Sequence, residues 1–191
     1  MNLPNTLTVI RIILAPVFFV AFFFPEWTGA GHIASLIVLV IVFVVMEVSD
    51  FLDGYFASKY KMVTDIGKVI DPFGDVMSRM TYFFCFTLIG LMPAWIFLIL
   101  LYRELGITFL RMLMIRRGIA MAASVWGKAK AVTYAAGGVL GLLYTISIRF
   151  DPSLGFLPSL KAFTLAVFIL GAISSVLSFL TYIRTAASDL R

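Results

Sequence analysis

Residues 49–60 read SDFLDGYFASKY and residues 67–75 read GKVIDPFGD, and both stretches sit within a strongly apolar chain. On a helix, Asp50 and Asp53 stand one turn apart on one face, and Asp71 and Asp75 do the same. If the short Lys59–Asp65 connection folds the two helices antiparallel, all four carboxylates converge. An ionised aspartate at mid-bilayer costs on the order of 3 kcal/mol even on a lenient scale. Four of them therefore require water, metal or partners, and packing alone explains them poorly.

The bilayer context follows from composition. Hydrophobic residues make up 62% of the 191 and mean hydropathy is +1.05, against roughly 45–50% apolar for a soluble domain. Six of the ten acidic residues, Glu47, Asp50, Asp53, Asp65, Asp71 and Asp75, fall within residues 47–75. A spanning helix takes about 20 apolar residues. Six such stretches can be drawn, at about 7–25, 32–58, 67–90, 93–115, 128–148 and 158–184. The expected fold is all-α, a polytopic membrane protein with six transmembrane helices and a single membrane domain over 1–191. Breaks are expected at Pro25 with Gly29–Gly31, at Lys59–Asp65, Gly90–Pro93, Arg116–Gly127 and Asp151–Pro158.

The first apolar segment lacks a basic head, carries Arg11, and ends in Pro25, Glu26 and Trp27, so it reads as a retained span and not a cleaved leader. Asn2–Thr8 reads as a short interfacial entry, with Asn5 or Thr6 as cap. Lys59, Lys61, Lys68, Arg116, Arg117, Lys128, Lys130, Arg184 and Arg191 fall on one side, against Arg149 and Lys161 on the other. By the positive-inside rule the first side is cytoplasmic, and with six spans both termini are too. The net charge of +5 lies at segment ends or inside them, which suits lipid headgroups or phosphorylated substrates and sets nucleic acid aside. The single Cys85 is expected to pack in the core.

Hard divalent ions take oxygen ligands and join protein carboxylates to substrate phosphates; two such ions can clamp the attacking and leaving oxygens of a phosphoryl transfer. The aspartate cluster suits that chemistry. Gly54, Gly67 and Gly74 beside it allow close approach of a helix or a nucleotide, with helix packing the commoner use of such glycines. A cation transporter is the alternative class for membrane aspartates, but these acids cluster at one end instead of continuing through the bilayer.

Read in order, Asp50, Asp53, Gly54, Ala57, Gly67, Asp71 and Asp75 keep the spacing of a known signature, and the chain resembles the CDP-alcohol phosphotransferase family. Ser58 departs, since the family usually has Arg there; the neighbouring Lys59 supplies charge but not a bidentate fork. The opening Asn2–Thr8 with Arg11, the Arg103, Glu104, Thr108 and Arg111 series, and Ala123–Lys130 are similar to the bacterial branch that uses sn-glycerol 3-phosphate as acceptor; Gly74 and Val76 depart from it. The resemblance implies attack of the acceptor hydroxyl on CDP-diacylglycerol, giving phosphatidylglycerophosphate and CMP, with other family acceptors such as inositol phosphate or serine as the alternative. It implies two Mg2+ or Mn2+ ions on Asp50, Asp53, Asp71 and Asp75, with Asp75 also the catalytic base. Asn5, Gly54, Ala57, Ser58 and Gly67 would form the nucleotide site. It further implies a homodimer in the bacterial inner membrane, among membrane lipids, with its active site facing the cytoplasm.

An acceptor phosphate needs cations, and Arg111, Lys128 and Lys130 are the candidates; Arg116 and Arg117 read equally as headgroup anchors. Arg79, Arg103 and Glu104 are expected to pair among themselves, with Glu104 and Arg79 as a buried tie between helices. Glu47, one turn before Asp50, is expected to support the metal site from behind, and His32 and Asp65 to be loop residues.

Overall fold

A computed structural model of the chain describes residues 3–60, 67–116 and 125–189. It contains six helices and, among the described residues, no strand: α1 Leu3–Thr28, α2 His32–Tyr60, α3 Gly67–Leu88, α4 Ala94–Arg116, α5 Val125–Phe150 and α6 Leu157–Asp189. Side chains of residues 53–60, and with them Asp53, Gly54, Ala57 and Ser58, lie outside the described residues, as do Asp65 and Arg117.

Among the described residues, four helices contain stretches long and apolar enough to cross a membrane: Asn5–Thr28, His32–Leu52, Val125–Phe150 and Leu157–Ala186. Helices α3 and α4 interrupt their apolar runs with Asp71, Asp75 and Arg79, and with Arg103, Glu104 and Arg111. The exposed side of α2 carries Ile33, Ile37, Ile41, Val44, Val48 and Phe51 at steps of three or four. Such a stripe on a soluble protein would be an aggregation surface; on this chain it is a face for lipid tails.

Two sequence expectations about α1 are corrected. The helix begins at Leu3, so Asn5 and Thr6 lie inside its first turns and are not caps. Pro4 belongs to a turn whose N–H groups have no helical partner, so the ring costs nothing there. The helix also runs through Pro16 and Pro25 to Thr28. It stops at Gly29, whose φ of 67° only glycine adopts freely and whose N–H reaches the Pro25 carbonyl at 2.9 Å. His32, expected in a loop, is the first residue of α2.

The chain divides into two compact units, Met1–Cys85 and Phe86–Arg191. In the first, α1 packs along α2, and Ser35 Oγ donates to the Ala21 carbonyl at 2.6 Å. Its core is aromatic: Phe18, Phe43 and Phe83 all meet the Tyr82 ring, and Cys85 is buried as expected. In the second unit α6 packs against both α4 and α5. Gly106 lies against the Phe179 ring and Gly171 against Thr133 and Tyr134, small residues that let the helices close without a driving force from water. The turn after α5 is held by Asp151, which accepts from the Ser153 N–H at 2.8 Å and hydroxyl at 2.6 Å. Those two donors hold its carboxyl below the usual aspartate range.

Candidate active site

The first unit brings together three of the four sequence-selected aspartates, and it does so around a cation. Arg11 of α1 is 1% exposed; its Nη1 donates to Asp50 Oδ1 and Asp75 Oδ1, both at 2.5 Å, and its Nη2 to Asp71 Oδ1 at 2.9 Å. Asp50 comes from the C-terminal half of α2, Asp71 and Asp75 from the first turns of α3. The second oxygen of Asp50 accepts from Arg79 Nη2 at 2.6 Å. Thr8 Oγ1, one turn before Arg11, donates to Asp71 at 3.3 Å. Glu47, one turn before Asp50, accepts from the Tyr82 hydroxyl at 3.3 Å.

Charge and exposure are arranged in layers. The guanidinium of Arg11 is sealed inside, whereas the side chains of Asp50, Asp71 and Asp75 are 28%, 48% and 34% exposed. Cations thus hold the carboxylates from the buried side, and the acids form the accessible surface. Fixed ion pairs of this kind offset the desolvation that isolated carboxylates would suffer.

Gly74 sets the distance between α1 and α3. A Cβ there would stand 2.7 Å from Thr8 Cγ2 and 3.5 Å from the Thr8 carbonyl oxygen, so its use is helix packing. Thr8 is buried and β-branched and cannot swing aside. Gly74→Val is expected to destabilise the protein by about 2 kcal/mol, since overpacking at ~1–3 kcal/mol outweighs the ~0.3 kcal/mol that valine gains over glycine in a helix. Thermal unfolding in detergent checks it; an unchanged melting temperature would show that α1 yields freely.

Does this set fit a divalent metal? Carboxylate oxygens from two helices already gathered about one positive centre have the hard-donor chemistry that magnesium or manganese requires. Among the described residues no three acidic, histidine or cysteine side chains are themselves arranged to hold an ion. The Arg11 guanidinium stands between the carboxylates that would serve.

In the second unit Glu104 accepts from Arg103 Nη1 at 3.0 Å, a pairing the sequence led us to expect, and from Lys130 Nζ at 2.8 Å, both on Oε1. Lys130 is one turn before Tyr134 on α5 and lies over its ring at 4.8 Å. Arg103 Nη2 also donates to Ser178 of α6 at 2.8 Å, and Tyr134 Oη meets Ser175 Oγ at 3.0 Å. Arg111 lies over the Tyr182 ring at 5.7 Å and donates to its hydroxyl at 3.5 Å. Lys128 is exposed near the start of α5. Asn5 is half-buried in the first turns of α1 and Gly67 opens α3.

Arg11 is the residue that sequence reasoning undervalued. Its signal was available: a cation within the first apolar segment demands a carboxylate partner, and Thr8 precedes it by one helical turn. Ser178 and Tyr182 carried no comparable signal, being hydroxyls among many.

Residues 1–182 match the CDP-alcohol phosphatidyltransferase family, and the chain belongs to that family of membrane-embedded transferases of phospholipid synthesis. Its relatives include the CDP-diacylglycerol–glycerol-3-phosphate 3-phosphatidyltransferase of Treponema pallidum (strain Nichols), 31% identical over 193 residues, covering 97% of this chain and 89% of that protein. The Bacillus subtilis (strain 168) protein of the same name is 32% identical over 139 residues, 68% of this chain and 70% of its own. A probable phosphatidylglycerophosphate synthase of Mycobacterium tuberculosis (strain ATCC 25618 / H37Rv) is 35% identical over 141 residues, 74% of this chain and 65% of its own.

Proposed function

We propose that this protein transfers the phosphatidyl group of CDP-diacylglycerol to sn-glycerol 3-phosphate, releasing CMP and phosphatidylglycerophosphate. The observation that carries the reading is the gathering of Asp50, Asp71 and Asp75 at one point in a chain of this family. The names of the relatives from Treponema pallidum and Bacillus subtilis supply the acceptor.

Asp50, Asp53, Asp71 and Asp75 would hold two divalent ions, magnesium or manganese. When bound, these supply charge neutralisation for the diphosphate and the leaving CMP. The chain's own residues do the rest. Asp75 takes the proton from the acceptor hydroxyl as that oxygen attacks the lipid-side phosphorus, and the bond to CMP breaks. Asn5, Gly54, Ala57, Ser58 and Gly67 line the nucleotide site. Arg111, Lys128 and Lys130 bind the acceptor phosphate, with Tyr182 and Glu104 fixing two of these cations in direction.

All six helices span the membrane in this reading, as one membrane domain. At ~1.5 Å per residue, the 22 residues of α3 and 23 of α4 cover about 33–35 Å, enough for a hydrocarbon core of about 30 Å. Their charges belong to the site and its ties. Both termini and the carboxylates face the cytoplasm of a bacterial inner membrane, and the protein works as a homodimer.

Purified protein given CDP-diacylglycerol, magnesium and, in separate tubes, glycerol 3-phosphate, inositol phosphate, inositol or serine tests this directly. CMP release is expected with glycerol 3-phosphate alone, falling to background on chelation and returning with added magnesium or manganese. Release with another acceptor would replace the substrate, and release that survives chelation would remove the metal from the mechanism.

A further inference from the structure

The contacts of Arg11 conflict with simultaneous metal binding, and the conflict is informative. Three carboxylates each commit an oxygen to this one guanidinium: Asp50 and Asp75 to Nη1, Asp71 to Nη2. Asp50 has its other oxygen on Arg79, so both of its oxygens are already engaged. A magnesium or manganese ion needs those oxygens at about 2.1 Å in near-octahedral geometry. An ion there competes with the guanidinium for the lone pairs of those oxygens. Two cations a few ångströms apart also repel by far more than a tenfold change in affinity, even at an effective dielectric near 20.

The two arginines differ in this respect. Arg79 touches Asp50 alone among the three and comes from α3 itself. Arg11 comes from α1, joins all three, and has a long unbranched stem by which its head can withdraw. Thr8 adds a second α1 contact to Asp71 through a neutral hydroxyl, which a cation on the same carboxylate does not repel.

We infer that Arg11 is an exchangeable internal cation: the guanidinium and the metal are alternative partners of Asp50, Asp71 and Asp75, and loading displaces the one with the other. The inference rests on the reading of these aspartates as metal ligands. Its physical effect is twofold. Arg11 keeps three neighbouring carboxylates aligned without a metal, and it sets the concentration at which the metal enters, because the ion must first displace a partner already in place.

Binding of Mn2+ to the full chain in detergent, followed by the paramagnetic resonance of the free ion, tests this without any turnover. Arg11→Gln is expected to lower the Kd for Mn2+ about tenfold or more, and to show a larger rise in melting temperature on adding Mn2+ than the unaltered protein. Arg11→Lys keeps one charge but cannot bridge three carboxylates as a fork does, so its Kd is expected to fall between the two. Asp71→Asn and Asp75→Asn are expected to weaken Mn2+ binding strongly. If those two bind Mn2+ as well as the unaltered protein, the metal reading itself is wrong. If they lose the ion while Arg11→Gln binds it with equal or lower affinity, the metal reading stands and the exchange is overturned. Should Arg11→Gln fail to fold, Arg11→Lys decides alone, since an unchanged or weaker affinity in it also overturns the exchange.

Discussion

Asp75→Asn is expected to lower kcat for CMP release about a thousandfold while leaving the protein folded. The amide matches the carboxylate in shape but cannot take a proton, and removing a general base of this kind costs about 10² to 10⁴ in rate. Arg11 would still hold Asp50 and Asp71, so the junction of α1 with α2 and α3 survives. Melting temperature in detergent should therefore change by a few degrees at most, and the loss should appear in kcat more than in the KM for the acceptor. Activity within tenfold of the unaltered protein would remove Asp75 from the role of base and leave it as a metal ligand or a partner of Arg11.

The largest expected effect on stability lies in the second unit. Glu104 is 8% exposed and its Oε1 serves both Arg103, 5% exposed, and Lys130. Between Asp75 and Asp151 it is the one acidic residue in the sequence. Glu104→Met keeps the volume and removes the charge, leaving two buried cations without it; breaking a buried pair in this way costs about 3–5 kcal/mol. Adding Lys130→Met should recover part of that loss, since Arg103 alone retains Ser178. Thermal unfolding of the two single variants and the double variant reads the coupling. Simple additivity would show that Glu104 does not neutralise Lys130.

The helices were legible because a bilayer imposes length and apolarity together, and predicted and observed ends of α2 to α6 agree to within five residues. The first helix was misjudged at both ends for a local reason. Proline is a strong stop in general, yet Pro4 falls in the first turn, where no hydrogen bond is lost, and Pro16 and Pro25 are absorbed within α1. The convergence of Asp50, Asp71 and Asp75 was legible from spacing, because positions one turn apart share a helix face. Their common partner was not, since spacing within two helices says nothing about a third. The same limit explains Glu104: a charge in mid-helix announces that it has a partner, and Lys130 becomes visible as that partner only when α4 and α5 are placed.

The buried position of Arg11 also bears on how the chain is made. Its three carboxylate partners lie 39, 60 and 64 residues further along. As α1 leaves the ribosome and enters the bilayer, its guanidinium has none of them. The remainder of the helix, with a hydropathy of 2.5 over Asn5–Thr28, is apolar enough to carry one cation worth ~3 kcal/mol across. Insertion of α1 is thus possible early, but its seating is not. Asp71 and Asp75 reach Arg11 only once α3 has emerged, so the site closes as a late step of biosynthesis instead of forming span by span.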